Sequence, residues 1–179
     1  MNMKQIALCK QFRALHASGC FAIPNPWDIG TARWLRGKGF KALATTSAGF
    51  AFSQGCADQD VPLEMMLAHV AEMVRATPDL PVNADFENGY ADDPEGVARN
   101  VTLCVGTGVA GLSIEDATGR ADQPIYAFGH ALERVIAARE AVDAGGSGVM
   151  LTARAEGLLT NAPGGIDDAA KRIEAFAAA

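Results

Sequence analysis

The chain has 179 residues, 49% of them hydrophobic, and a formal net charge of −6 at pH 7. That balance suits a globular unit with a real core, while mild acidity without a Lys/Arg run argues against a nucleic-acid surface. No apolar run approaches the roughly 18 residues of a membrane helix. The start, "MNMKQIALCKQF", lacks an apolar segment followed by a cleavage site, and Cys9, Cys20, Cys56 and Cys104 form no CxxC. A cytoplasmic protein with reduced, mostly core-filling thiols is expected, with no membrane or nucleic-acid partner.

In chain order, "FAIPN" (21–25) reads as a short strand and "FKALATTS" (40–47) as a second. Leu63, Leu67, Val70 and Val74 then recur at helical spacing, with Met65, Met66 and Met73 as core filling. "LPVNADFE" (80–87) is the third strand. Asp93-Pro94 opens a helix carrying Val97, Val101 and Cys104, because Asp caps and Pro fits the first turn. "AGLSIED" (110–116) is the fourth strand. Leu132, Val135, Arg139 and Val142 mark a helix closed by Gly145-Gly146, "GVMLTARA" (148–155) is the fifth strand, and a helix follows over 166–179. Strands alternating with helices imply βαβ units and a parallel sheet in one domain. Five such units suit a small doubly wound sheet or part of a barrel; a closed (β/α)8 barrel takes about 200–250 residues.

"GTGVAG" (106–111) matches the dinucleotide fingerprint by letter. That fingerprint needs strand, glycines, helix; here a helix runs into the glycines and a strand leaves them, so they read as a helix stop and a turn.

Each strand turns polar or glycine-rich at its carboxyl end: Asn25 to Asp28, Thr45 to Gly49, Asp85 and Glu87, Glu115 and Asp116, Arg154 and Glu156. Parallel α/β folds bind ligands at that end. Residues i and i+2 of a strand share a face, so Asp85 and Glu87 are expected to point the same way, with Glu115 reaching the same rim from the next strand. Carboxylates gathered in a partly buried site repel unless a cation joins them, and an all-oxygen set suits Mg²⁺ or Mn²⁺, some of it through water. Arg154 offers a planar fork to an anionic substrate, and "TTSAGF" offers a hydroxyl and closely approachable backbone N–H groups.

Plainer roles stand beside these. Asp85 alone reads as a turn cap, Asp28 and Asp116 as caps of the next turn or helix, Glu156 as the partner of a neighbouring Arg, and Trp27 as packing as well as pocket wall. His16, His69 and His130 lie away from the strand ends and read as structural.

Together "NPWDIGTARWLRGKGFKALATTSAGFA", "LPVNADFENGY", "AGLSIEDATG" and "VMLTARAEGLL" resemble the isocitrate lyase/phosphoenolpyruvate mutase superfamily over residues 20–160. The resemblance implies a (β/α)8 TIM barrel, of which these 179 residues carry about five βα units of an apparently shortened single domain. It implies a Mg²⁺-dependent enzyme (Mn²⁺ as the substitute) that acts on a small 2-oxo or 2-hydroxy carboxylate through an enolate-like species, and an oligomer of identical chains at full length. Carried over by motif, Asp85 is the direct metal ligand, and Glu87 and Glu115 are water-mediated ones. Ser47, Ala48 and Gly49 hold the substrate carboxylate with Arg154 as cationic partner, Trp27 is an aromatic pocket wall, and Asp58 is a metal-linked catalytic acid.

The lyases' K-(K/R)-C-G-H motif is absent. "DATGRADQPIYAFGHALE" stands in its place without Cys or Lys, which excludes isocitrate and methylisocitrate cleavage by that thiol. Glu87 stands where many relatives have Asp, and "ARAEG" stands for "ARTDA". The expected function is a carbon–carbon lyase. The alternatives are a C–P bond enzyme of mutase or phosphonopyruvate-hydrolase type, and a non-catalytic fragment or binding protein.

Overall fold

The computed structural model describes residues 3–179. The strands are β1 (Leu43–Ala44), β2 (Val82–Asp85), β3 (Gly111–Glu115), β4 (Ala117–Arg120), β5 (Gln123–Ile125) and β6 (Met150–Arg154). The helices are α1 (Met3–His16), α2 (Ile29–Gly37), α3 (Ser47–Ser53), α4 (Leu63–Ala76), α5 (Pro94–Gly106), α6 (Phe128–Ala144) and α7 (Gly165–Ala178). β1, β2, β3 and β6 form one all-parallel sheet in that order, and β4 and β5 form a separate antiparallel hairpin. This is the expected α/β class.

The local starts follow from capping. The Asp28 carboxylate accepts the Thr31 N–H at 2.7 Å and caps α2; Asp93 accepts the Gly96 N–H at 2.7 Å and caps α5, with Pro94 in its first turn. Both supply an acceptor to N–H groups that lack a helical partner. Gly106 ends α5 and Gly111 begins β3, so "GTGVAG" is a helix-to-strand turn, with Gly108 at φ 97°.

The sheet's inner layer is apolar. Ala84 of β2, and Leu112 and Ile114 of β3, are buried in one cluster with Met66, Val70, Val97, Val101 and Cys104 from α4 and α5, whereas Val82 is buried in a second cluster with Leu35 of α2 and Met73 of α4. In β2 the alternate residues, Asn83 and Asp85, are only half-buried and face the carboxyl rim. Period two thus separates the core from the site.

Several expectations are corrected. Residues 21–25 form no strand. They run beside β1 with one backbone bond, Ala44 N–H to Pro24 O at 3.1 Å, because Pro24 and Pro26 have no N–H to give a ladder. The second strand shrinks from 40–47 to Leu43–Ala44, since Thr46 already caps α3 through the Gly49 N–H. Met65 is 42% exposed, whereas Met66 and Met73 are buried. On α6 the buried face is Ala131, Arg134, Val135, Ala138 and Val142; Arg139 instead pairs with Asp143 toward solvent. The β4–β5 hairpin, in "DATGRADQPI", was not anticipated. All four cysteines are free thiols; Cys9 and Cys104 are buried, and Cys20 is exposed. Among the described residues, no helix is long and apolar enough to cross a membrane.

Candidate active site

The carboxyl ends of β1, β2, β3 and β6 open into a cavity of about 410 Å³ lined by Ser47, Ala48, Asp58, Asp85, Glu115, Arg154 and Glu156, among others. Register explains the meeting. Parallel pairing sets Asp85 opposite Ser113 and Glu115 opposite Arg154, so adjacent strands present these side chains side by side.

Arg154 is the hub. Its Nη1 lies 3.1 Å from Asp85 and 2.9 Å from Glu115, and its Nε lies 2.7 Å from Glu156. Nη2 has no partner among the described residues. Burial acts to lower the Arg154 pKa, but the three carboxylates outweigh it and hold the guanidinium more firmly protonated than usual. Asp85 is further fixed by Ser47, whose backbone N–H and Oγ–H both donate to its Oδ2, at 3.0 and 2.9 Å. The Thr45 hydroxyl oxygen accepts the Asp85 N–H at 2.9 Å, which anchors the backbone beneath it. Burial lifts the Glu115 carboxyl to about 7, against the pull of Arg154 and with help from Asp85 and Glu156.

Glu87 departs from expectation. β2 ends at Asp85, and Glu87 takes φ 45°, in the left-handed region, so strand alternation no longer applies to it. Its carboxylate turns to the Tyr90 hydroxyl, which donates at 2.8 Å, and lines a neighbouring cavity with Asp58 and Asp92. Burial raises its pKa to about 7; the Tyr90 hydrogen bond opposes this, and the charges of Asp58 and Asp85 add to it.

Of the other expected residues, Asp58 is exposed on the rim between the two cavities. Ser47 and Ala48 line the site, but the Ser47 N–H is held by Asp85 and the Gly49 N–H by Thr46. Trp27 and Gly49 do not line the cavity. Trp27 is 48% exposed and lies over Gly49, where an added Cβ would meet the indole Nε1 at 2.5 Å. Asp28 caps α2, as the plainer reading held, and Glu156 pairs with Arg154. Asp116 caps nothing. It is buried, accepts the Glu156 N–H at 2.7 Å and pairs with Arg172 at 3.0 Å.

Among the described residues, no cluster of three or more His, Cys, Asp or Glu side chains is spaced to grip a metal ion. The donor chemistry still fits a hard divalent cation. The acceptors at the rim are all carboxylate and hydroxyl oxygens, and the buried Glu115 and Glu87 carboxyls are the groups a cation would relieve. A set that offers one well-oriented carboxylate and others at a distance suits Mg²⁺, which keeps several waters.

A family model described as phosphoenolpyruvate phosphomutase matches residues 12–179. The chain belongs to the phosphoenolpyruvate mutase family. Solved structures agree with this. A lyase- or mutase-like protein of Burkholderia cenocepacia J2315 is 48% identical with a TM-score of 0.94, over 99% of this chain and 63% of that one. A phosphonomutase-like protein of the same organism is 33% identical with a TM-score of 0.88, over 97% and 71%. A 2,3-dimethylmalate lyase of the phosphoenolpyruvate mutase/isocitrate lyase superfamily is 28% identical with a TM-score of 0.86, over 99% and 61%. These superfamily members are TIM-barrel enzymes, and the parallel sheet described above is of that type. The chain thus spans about three-fifths of the length of the first and third of these structures, and the match to its curated relatives, from Mycobacterium tuberculosis, covers 40% of theirs.

Sequence reasoning passed over three residues of this phosphoenolpyruvate mutase-family site. Asn83 and Ser113 line the cavity two positions before Asp85 and Glu115. A polar residue two before a strand-end acid, within an apolar run, was the available signal; the alternation had to be followed backward into the strand and not forward past its end. Tyr90, which holds Glu87, follows a turn and carried no such signal.

Proposed function

We propose that the chain carries the catalytic rim of a Mg²⁺-dependent carbon–carbon lyase acting on a small 2-oxo or 2-hydroxy carboxylate. The observation that supports this most is Asp85, oriented by two Ser47 donors and by Arg154 at the mouth of the parallel strands. Asp85 would hold the cation directly, with Glu115 and Glu87 reaching it through water. When bound, that ion would supply positive charge beside the substrate's 2-oxygen, where it would stabilise the enolate oxygen formed from a 2-oxo acid or the alkoxide formed when a 2-hydroxy acid gives up its proton before the C–C bond breaks.

The chain's own residues do the rest. Arg154 presents its unpaired Nη2 to the substrate carboxylate, while Glu115 and Glu156 keep the guanidinium in plane and in register. Ser47 prevents Asp85 from turning away. Asp58 lines the open rim, and in this reading it would exchange a proton with the departing fragment. The enzyme is read as cytoplasmic, as an assembly of identical chains.

Calorimetry of the protein with Mg²⁺ and oxalate, a planar enolate mimic, tests the reading. Oxalate is expected to bind only with Mg²⁺ present, and metal-independent binding or none would sink it. The 33% identity to a phosphonomutase-like protein favours C–P chemistry as a second reading. Phosphate release from phosphonopyruvate, with no C–C cleavage of 2-hydroxy acids, would establish that reading instead.

A further inference from the structure

β3 and β6 end side by side, with Glu115 opposite Arg154. The pairing continues one step further in an unusual form. The Asp116 N–H donates to the Arg154 carbonyl at 3.1 Å. In an uninterrupted parallel ladder the next bond would run from the Glu156 N–H to the Asp116 carbonyl. That carbonyl is already taken, by the Tyr126 N–H at 2.9 Å where the chain leaves the hairpin. The Asp116 side chain stands in for it: Oδ1 accepts the Glu156 N–H at 2.7 Å, and Oδ2 meets Arg172 Nη1 at 3.0 Å. The Glu156 carbonyl is held as well, by the Thr160 N–H at 2.9 Å and the Thr160 hydroxyl at 3.0 Å. With both backbone groups bound, the Glu156 carboxylate is delivered to Arg154 Nε at 2.7 Å. The Asp116 side chain is 2% exposed and does not line the strand-end cavity.

We propose that Asp116 is a positioning residue for substrate binding: by holding Glu156 it aims the Arg154 guanidinium at the substrate carboxylate. This rests on the lyase reading above. In that reading Asp85 and Glu115 belong to the cation, so Glu156 is the one carboxylate that serves Arg154 alone. Its grip on Nε fixes the plane of the guanidinium, and a planar fork recognises a carboxylate only in register. Arg172 acts one step further back, by keeping the Asp116 carboxylate turned toward Glu156.

Two double variants separate aiming from stability. Asp116→Asn with Arg172→Met and Asp116→Leu with Arg172→Met both remove the buried ion pair without orphaning a charge. Only the first keeps an oxygen for the Glu156 N–H. Calorimetry on the full chain, at a temperature where circular dichroism shows the variants folded, reads Mg²⁺ alone and then oxalate at saturating Mg²⁺. Oxalate is expected to bind about tenfold more weakly to the Leu variant and within about threefold of the unaltered protein to the Asn variant, with Mg²⁺ affinity alike in all three. Glu156→Leu, which leaves Asp116 and Arg172 paired, is expected to show the same loss of about tenfold for oxalate. Equal oxalate affinity in the two double variants overturns the assignment. A parallel loss of Mg²⁺ affinity also overturns it, since the whole rim would then have loosened. Undiminished oxalate binding by Glu156→Leu overturns it even if a double variant fails to fold. In each of these cases the lyase reading stands as long as the unaltered protein binds oxalate with Mg²⁺. If it does not, that reading falls and the role of Asp116 falls with it.

Discussion

Asp85 and Glu87 stand two residues apart and behave as different kinds of group. Asp85 is fixed by Ser47 and Arg154 at the rim, whereas Glu87 is buried against Tyr90 with its pKa raised to about 7. Asp85→Ala is therefore expected to abolish Mg²⁺-dependent turnover and Mg²⁺-dependent oxalate binding, and Glu87→Gln only to weaken them, by about tenfold. Parallel titrations of both variants check this, and equal tolerance of the two would reverse the roles. His69 allows a separate prediction about stability. It is buried, stacked on Phe50 with ring centroids 3.7 Å apart, and its Nε2 has no hydrogen-bond partner. Burial lowers its pKa to about 4, with Asp28 pulling weakly the other way. The unfolded chain takes up this proton first as the pH falls through about 6.5, so the folded state loses stability from there down to about 4. The full effect is at most about 3 kcal/mol. Urea melts at pH 7.5 and 5.0 are expected to show a smaller loss on acidification in His69→Leu than in the unaltered protein. The shared rim of Asp85, Glu115 and Arg154 was legible in the sequence because the carboxyl ends of parallel strands lie at one end of the sheet. The turn of Glu87 was not, because a left-handed φ at a non-glycine residue is decided by what its side chain and backbone then meet.

At the scale of elements, the rim is held from below by the last helix. Arg172 of α7 is buried; its Nη1 reaches Asp116 and the Tyr126 carbonyl, both at 3.0 Å, and its Nε reaches Asp168 at 2.6 Å. Asp116 in turn accepts the Glu156 N–H at 2.7 Å. One guanidinium thus ties α7 to the ends of β3 and β6 and to the hairpin's exit. Arg172→Met would leave Asp116 buried without its cation, a situation that costs about 3–5 kcal/mol, and a large fall in Tm is expected by circular dichroism. Asp116→Asn combined with Arg172→Met is expected to recover much of that loss, since the orphaned charge is gone. A second buried arginine, Arg134 of α6, donates to the carbonyls of Asn88, Ala91 and Asp92 and lies 3.9 Å from the centroid of the Tyr126 ring. It fixes the loop that carries Tyr90. Neither arginine was recognisable from sequence, where Arg within a helical pattern reads as solvated. The capping residues Asp28 and Asp93 were recognisable, because a cap satisfies N–H groups two or three positions away.

For the whole molecule, β6 is the outermost strand on its side of the sheet among the described residues and is only half-buried along most of its length, while β3 is buried almost throughout. Leu158 and Leu159 in the loop after β6, and Ile166 and Ile173 on the outer face of α7, are exposed, Leu159 by 75% and Ile166 by 72%. Exposed apolar side chains gathered on one face favour association. The chain of 18.7 kDa is expected to sediment as an associated species, and Ile166→Asp with Ile173→Asp is expected to shift it toward the monomer. A protein that stays monomeric at all concentrations would show that this face is satisfied within one chain.

What the sequence by itself determined is whatever local rules govern: the alternation of strands and helices, the caps, the helix-to-strand turn in "GTGVAG", and a rim of Asp85, Glu115 and Arg154 at successive strand ends. Each depends on neighbours a few positions away, or on the parallel order those elements impose. Only the tertiary structure decided how that rim is wired. Strand register put Glu115 and Arg154 side by side and let one guanidinium serve three carboxylates. A left-handed residue sent Glu87 to Tyr90, and Arg172 reached back from α7 to hold Asp116. These depend on which groups, far apart along the chain, share one small volume where an unpaired charge is too costly to leave.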